Sequence, residues 1–210
     1  MNYTDLTTNI ADICENTFTA AELAMFTQQA EQKIYNTVQF PDLRKVGTPI
    51  AMVSGTATIT LPTDFLFPYS VAVISGGTDY IYLLQKDTNF IQAAYPTPAT
   101  TGVPKHYALQ NATTLLLGPT PNSTDNISIE YGYYPESIVT ATNTWLGDTF
   151  DSALLNGALV EALRFMKGEE DMVAVYDKLY LQSIGLLKQL GDGKLRQDTY
   201  RSGQVRDRVG

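Results

Sequence analysis

The first forty residues read as helical, with Leu6, Ile10 and Ile13 at helical spacing. Thr19-Ala20-Ala21-Glu22 then forms a capping box, the Thr19 side chain accepting an N3 amide while Glu22 reaches back to the Thr19 amide. Phe18 and Leu23 stand at N′ and N4, where a hydrophobic staple fixes how the chain enters the helix. Leu23, Phe26, Ala30, Ile34 and Val38 continue as one apolar stripe that needs a partner, and Pro41 closes the helix.

From about residue 46 to 134 the period drops to that of strands. Thr56-Ala57-Thr58-Ile59-Thr60-Leu61 alternates polar with apolar, and the runs 71–74 and 80–84 flank the hairpin turn Ser75-Gly76-Gly77-Thr78-Asp79. A second hairpin is predicted at Asn111, with 106–110 and 113–117 as arms. Residues 127–134 follow as another alternating strand after Gly118-Pro119-Thr120-Pro121-Asn122. Residues 87–95 read as a short helix and 96–104 as a loop. Six or seven short strands in all predict a small β-sandwich or barrel.

Helical spacing returns near Asp148. Leu155, Leu159, Ala162, Leu163 and Met166 line one face, and Gly168 supplies a left-handed stop. A second helix then runs to Leu190, with Met172, Tyr176, Leu179, Leu186 and Leu190 inward and Gly191 as its stop. Its first turn is crowded by Glu169, Glu170 and Asp171, which complements the helix dipole better than it makes a catalytic or metal cluster. The short linker makes the two helices antiparallel neighbours, and the N-terminal helix completes their bundle. The expected class is therefore α+β, an antiparallel helical bundle from both chain ends with an inserted antiparallel β-module and an extended C-terminal tail. The expected segments are 1–45, 46–135, 136–193 and 194–210. No internal repeat of the solenoid kind is present.

Composition narrows the chemistry. The 210 residues contain one cysteine, Cys14, and one histidine, His106, so no intrachain disulfide and no common zinc constellation can form. No apolar run is long enough to span a bilayer, and the first basic residue is Lys33, so neither a membrane span nor a secretion signal is expected. The N-x-[ST] patterns at Asn2, Asn111, Asn122 and Asn126 are then chance matches in a Thr-rich chain. There is no G-x-S-x-G elbow, Walker loop or G-x-G-x-x-G, and Gly191-Asp192-Gly193 follows a helix where a phosphate loop precedes one. Asp192 and Asp198 lack EF-hand spacing. His106 reads as a surface or half-buried strand residue. No enzymatic activity, cofactor or metal is expected. A carbohydrate-binding or wall-polysaccharide-hydrolysing protein is the alternative, since paired carboxylates converge from distant segments and the 13 tyrosines, Tyr131, Tyr133 and Tyr134 among them, could stack on sugars. Their alternating placement in a strand favours ordinary packing or an interface over that role.

The net charge of −8 disfavours a generic nucleic-acid binder, but it is unevenly distributed. Residues 194–210 carry five basic and two acidic side chains, a net +3, which leaves −11 on the other 193 residues. Apolar residues in this tail are too sparse for a helical stripe, while Tyr200 and the spaced arginines suit a partner groove lined with carboxylates. A solubilising tail without a partner is the plainer reading of the same residues.

Several short patterns, in this order, carry a family likeness: Leu61-Pro62-Thr63-Asp64-Phe65 after a Thr-rich strand, Gly102-Val103-Pro104 before Tyr107-Ala108-Leu109, Leu117-Gly118-Pro119-Thr120-Pro121, Tyr131-Gly132-Tyr133-Tyr134-Pro135, and a closing helix pair with a basic tail. Over nearly its whole length the chain resembles the head-to-tail adaptors of tailed bacteriophages, and among them the tail tubular proteins A of short-tailed phages. That resemblance implies a structural virion protein, a ring, usually dodecameric, in the neck between the capsid portal and the tail nozzle. It would be made in the bacterial host cytoplasm, prolong the DNA channel and close the neck after packaging. The helical part would face the portal and the β-module the nozzle, and packaged DNA would pass the lumen without specific binding. Lys194, Arg196, Tyr200, Arg201, Arg206 and Arg208 are the expected portal-docking residues. Another neck or tail-completion ring of the same class would differ only in its neighbours.

Overall fold

The computed structural model describes residues 1–195 and divides the chain into two compact units, Met1–Leu43 with Pro135 onward, and Arg44–Tyr134. The architecture is mixed α+β, with seven α-helices among the described residues and no helix among them long and apolar enough to cross a membrane.

In the first unit, α1 (Tyr3–Cys14) and α2 (Ala20–Thr37) both begin in capping boxes. At α2 the Glu22 amide donates to Thr19 Oγ1 at 3.3 Å and the Thr19 amide donates to Glu22 Oε2 at 2.7 Å, as the sequence predicts. Phe18 meets Phe26 edge to face at 5.4 Å, and Phe26, Ala30, Ile34 and Val38 are buried. Two short helices, α4 (Ile138–Ala141) and α5 (Trp145–Thr149), precede α6 (Asp151–Phe165) and α7 (Glu170–Leu195). The sequence pattern does not announce α4 or α5, because four or five residues are too few to show a period.

Helix α6 packs against α1, α2, α5 and α7. Its buried set, which includes Ala153, Leu154, Gly157, Ala158, Leu159, Ala162 and Leu163, therefore wraps around more of the helix than the single face expected. Leu155 and Met166, expected inward, are only half-buried. Gly157 has no side chain where the Tyr180 ring and the Ala30 methyl close on α6, at 3.0 and 3.1 Å from where a Cβ would stand. Burial, helped by Glu161 and Asp177, pushes the Tyr180 hydroxyl up to about 12.

The stop after α6 differs from expectation by one residue. The Gly168 amide donates to Leu163 O at 2.9 Å and the Lys167 amide to Arg164 O at 3.2 Å, a Schellman closure that puts Lys167, not Gly168, in the left-handed region at φ 55°. Helix α1 ends in the same way, with Glu15 at φ 48°. Helix α7 starts with Glu170 and Asp171 in its first turn and carries on past Gly191 and Gly193 to Leu195, so Gly191 is not its stop.

The second unit holds two main sheets and no closed barrel among the described residues. In the first, β1 (Arg44–Val46) and β2 (Ile50–Ala51) both pair with β11 (Asn126–Gly132), which pairs with β4 (Phe67–Ser75), which pairs with β5 (Asp79–Tyr82). The β4–β5 hairpin turns through Gly76 and Gly77, both at positive φ, where a side chain would be strained. The second sheet orders β3 (Thr58–Thr60), β9 (Thr114–Gly118), β8 (His106–Asn111) and β6 (Leu84–Gln85). A two-residue pairing joins β7 (Thr101–Gly102) to β10 (Thr120–Pro121).

Not all pairings are antiparallel, contrary to expectation: β6–β8 and β7–β10 run parallel. The first requires a crossover, which is supplied by α3 (Thr88–Ala94), the short helix expected there, packed on β8. One core takes alternate residues from both sheets, Val71, Val73, Ile127, Ile129 and Tyr131 from one and Ile59, Tyr107, Leu115 and Leu117 from the other.

Glu31 is a buried carboxylate on α2, and its Oε1 accepts the Ile138 amide at 2.9 Å at the start of α4. Burial raises its pKa, opposed by the hydrogen bonds from Ile138 and Ser137. A carboxyl whose folded pKa is raised stabilises the fold most below its unfolded pKa, and that contribution fades as pH climbs through the folded value. Glu31→Gln keeps an acceptor for Ile138 and should flatten the fall in stability above the ordinary Glu range, whereas Glu31→Ala strands a buried donor and should cost about 1–3 kcal/mol at all pH. Urea titrations of the three proteins from pH 4 to 8 check both; parallel profiles for Glu31→Gln and the unmodified chain would contradict the linkage.

Candidate functional site

Of the six residues expected to dock a partner, the described structure reaches one. Arg196, Tyr200, Arg201, Arg206 and Arg208 lie outside the described residues. Lys194 sits in the last turn of α7, where its Nζ stands 3.5 Å from Asp42 Oδ2 and 4.5 Å from the centroid of the Phe40 ring. Phe40 is buried and stacks on Trp145, centroids 4.9 Å apart and planes 14° apart.

This corner explains why α7 does not end where expected. Gly191 packs directly on the strap that leaves α2: a Cβ there would run into the Gln39 carbonyl oxygen and stand 2.9 Å from the Phe40 ring. The glycine permits close approach of a helix to a neighbouring backbone, and the packing holds the helix through it. Lys194 adds a charge in the last turn, where it complements the helix dipole, and covers the ring. Both members of the Lys194–Asp42 pair are about half exposed, so it directs the chain more than it stabilises the fold. The root of the C-terminal segment is thus seated beside the 3-10 turn Pro41–Leu43, and Lys194 already has partners within its own unit.

Phe40, Asp42 and Trp145 were not legible as parts of this site. They lie about 50 to 150 residues from Lys194, and no local spacing links them.

The residues considered for chemistry have structural work. His106 Nδ1 lies 3.0 Å from Tyr95 Oη, and its ring meets Phe90 edge to face at 5.2 Å, so the half-buried imidazole ties α3 to β8. Cys14 is half-buried, and burial pushes its thiol pKa up, away from the reactive thiolate. Among the described residues no three His, Cys, Asp or Glu side chains group to hold a metal. In the β unit Glu130 accepts from Ser70 Oγ at 3.2 Å and Asp125 from Ser123 Oγ at 2.8 Å.

One polar cluster escaped the sequence reading. Asp64 accepts from Tyr131 Oη at 2.9 Å and pairs with Lys45, whose Nζ also lies 4.5 Å over the Tyr133 ring. The hydrogen bond from Lys45 holds the Asp64 carboxyl below its usual range and, reciprocally, raises the lysine. A cleft of about 560 Å³ opens beside it, lined by Lys45, Pro49, Ile50, Thr60, Leu61 and Tyr131. The pair is internally satisfied, and its geometry ties β1 and β11 to the loop after β3. Tyr131 thereby packs in the core and anchors a hydrogen bond, and Tyr133 backs the lysine.

A family model described as SU10 adaptor protein matches residues 1–208. No curated protein matches the chain.

The two glycines of the last α7 turns should respond in opposite directions. Gly191→Ala must push against backbone and a buried ring and should cost about 1–3 kcal/mol. Gly193→Ala meets nothing within 4 Å in an exposed helical position and should gain up to about 1 kcal/mol. Thermal melts of both variants check the pair. Equal effects would contradict the continuous helix packed on Phe40.

Proposed function

We propose a role in the neck of the virion from one premise: the chain belongs to the SU10 adaptor protein family, whose model covers residues 1–208. It is a phage head-tail adaptor, a structural virion component that contacts other virion parts. In our reading, copies close into a dodecameric ring between portal and tail nozzle, in the manner of the tail tubular proteins A. The helical unit, as an antiparallel bundle, faces the portal. The β unit, as a sandwich, faces the nozzle.

The observation that carries this reading is the charge division of a chain matched to an adaptor family from end to end. A body of −11 suits the wall of a conduit through which duplex must slide without sticking, and a segment of +3 suits insertion between the subunits of a partner. Lys194 seats the root of that segment on Asp42 and Phe40, and Arg196, Tyr200, Arg201, Arg206 and Arg208 are the proposed portal anchors. Many weak tails engaging one ring together give a durable joint. Two distinct units also provide the unlike lateral faces that a head-to-tail ring requires.

Truncation after Leu195 leaves every described contact in place and should leave the melting temperature within a few degrees, while abolishing co-sedimentation with purified portal rings. Replacing Arg201, Arg206 and Arg208 by Glu should do the same without shortening the chain. Undiminished binding of both variants would refute portal docking through this segment.

A further inference from the structure

Helix α7 is apolar on more of its surface than its own unit covers. The core takes Tyr176, Tyr180, Ile184 and Leu187, whereas Met172, Val175, Leu179, Leu186 and Leu190 remain between 38% and 62% exposed. Four of these five are the positions that the sequence pattern predicts as core. At 100° per residue the two sets lie side by side, so the apolar arc spans about half the helix circumference. Such a helix satisfies one face within its unit and keeps the other for something else.

The spacing of the outer set describes what fits there. Met172, Leu179 and Leu186 are seven residues apart, and Val175, Gln182 and Gln189 fall three after each, the seam spacing of packed helices. From Met172 to Leu190 the stripe is about 27 Å long. It exposes on the order of 400 Å² of apolar side chain, the range in which an uncovered patch marks an interaction site. A specific interface needs roughly 800 Å² from each partner, so the stripe furnishes its apolar centre and the flanking polar residues its rim.

We infer that this outer stripe of α7 seats a second copy of the chain. The inference rests on the multi-copy reading above and names the face that makes the contact. Charge selects the occupant. Bodies of −11 repel, so a contact between copies is least opposed where it adds no further like charge, and none of the seven side chains on the stripe is ionisable. A basic partner would instead be met by carboxylates, which the stripe lacks. The contact is apolar, so it strengthens as salt screens the bodies from each other.

Sedimentation velocity of the full chain across concentration and salt tests this, with Leu179→Glu/Leu186→Glu against Leu181→Glu, an exposed leucine on the far side of α7. The unmodified chain should associate more at high salt. The double variant should raise the midpoint concentration by about tenfold or more, since two leucines of the buried stripe become charged, and Leu181→Glu should leave it within about twofold. As a measurement that needs no Glu in the stripe, a thiol-to-amine crosslinker on Leu186→Cys should give far more copy-to-copy product than on Leu181→Cys. A double variant that associates like the unmodified chain overturns the stripe and leaves the multi-copy reading intact. A chain that stays monomeric at every salt and also alongside portal rings overturns both. A chain that is monomeric alone, and whose portal binding is lost in the double variant, assigns the stripe to the portal and overturns the second copy as occupant.

Discussion

The helical unit depends on the enclosure of α6. Its neighbours α1 and α2 come from the start of the chain, and α7 from beyond the β unit, so one buried core joins segments more than a hundred residues apart. The approach is close because Gly157 leaves room for Tyr180 and Ala30. The cost of ordering two distant chain ends is met by apolar area around nearly the whole of one helix. The β unit can then be inserted without contributing to that core, and has a core of its own built from alternate residues of two sheets.

Once α6 is enclosed, α7 has little freedom. It must present one face to α6 for its length and then pass the strap at Gln39 and Phe40, where only a glycine fits. The helix therefore continues to Leu195 and delivers the basic C-terminal segment from a seated root. The same constraint turns the Met172, Leu179 and Leu186 seam outward. A phage adaptor interacts with other virion parts, and α7 combines a core face, an uncovered apolar face and the start of a cationic segment in a single helix.

Where chemistry was conceivable, polar side chains are spent on structure. Asp64 is held by Lys45 and Tyr131, His106 by Tyr95, and Glu31 by the start of α4. The Asp64–Tyr131 and Glu31–Ile138 bonds join elements distant in sequence, and the His106–Tyr95 contact joins nearer ones. Such groups restrain the fold through directional bonds that apolar contacts do not supply.

Local physics settled much of this protein in the sequence itself. The capping box at Thr19, the α2 stripe, the Gly76-Gly77 hairpin, the short helix before Tyr95 and the alternation of β11 arise from interactions within a few residues, and all stand in the structure. The charge division and the order of the short turn and strand patterns are likewise properties of the chain alone. Tertiary structure decided which of two adjacent apolar stripes on α7 faces inward, because periodicity gives the width of an apolar arc and not which part of it a neighbour covers. It decided that Gly191 is a point of close approach, because the obstacle is Phe40, 151 positions earlier in the chain. It also decided the parallel β6–β8 pairing and the Lys45–Asp64–Tyr131 cluster, since partners that meet only on folding leave no spacing to read.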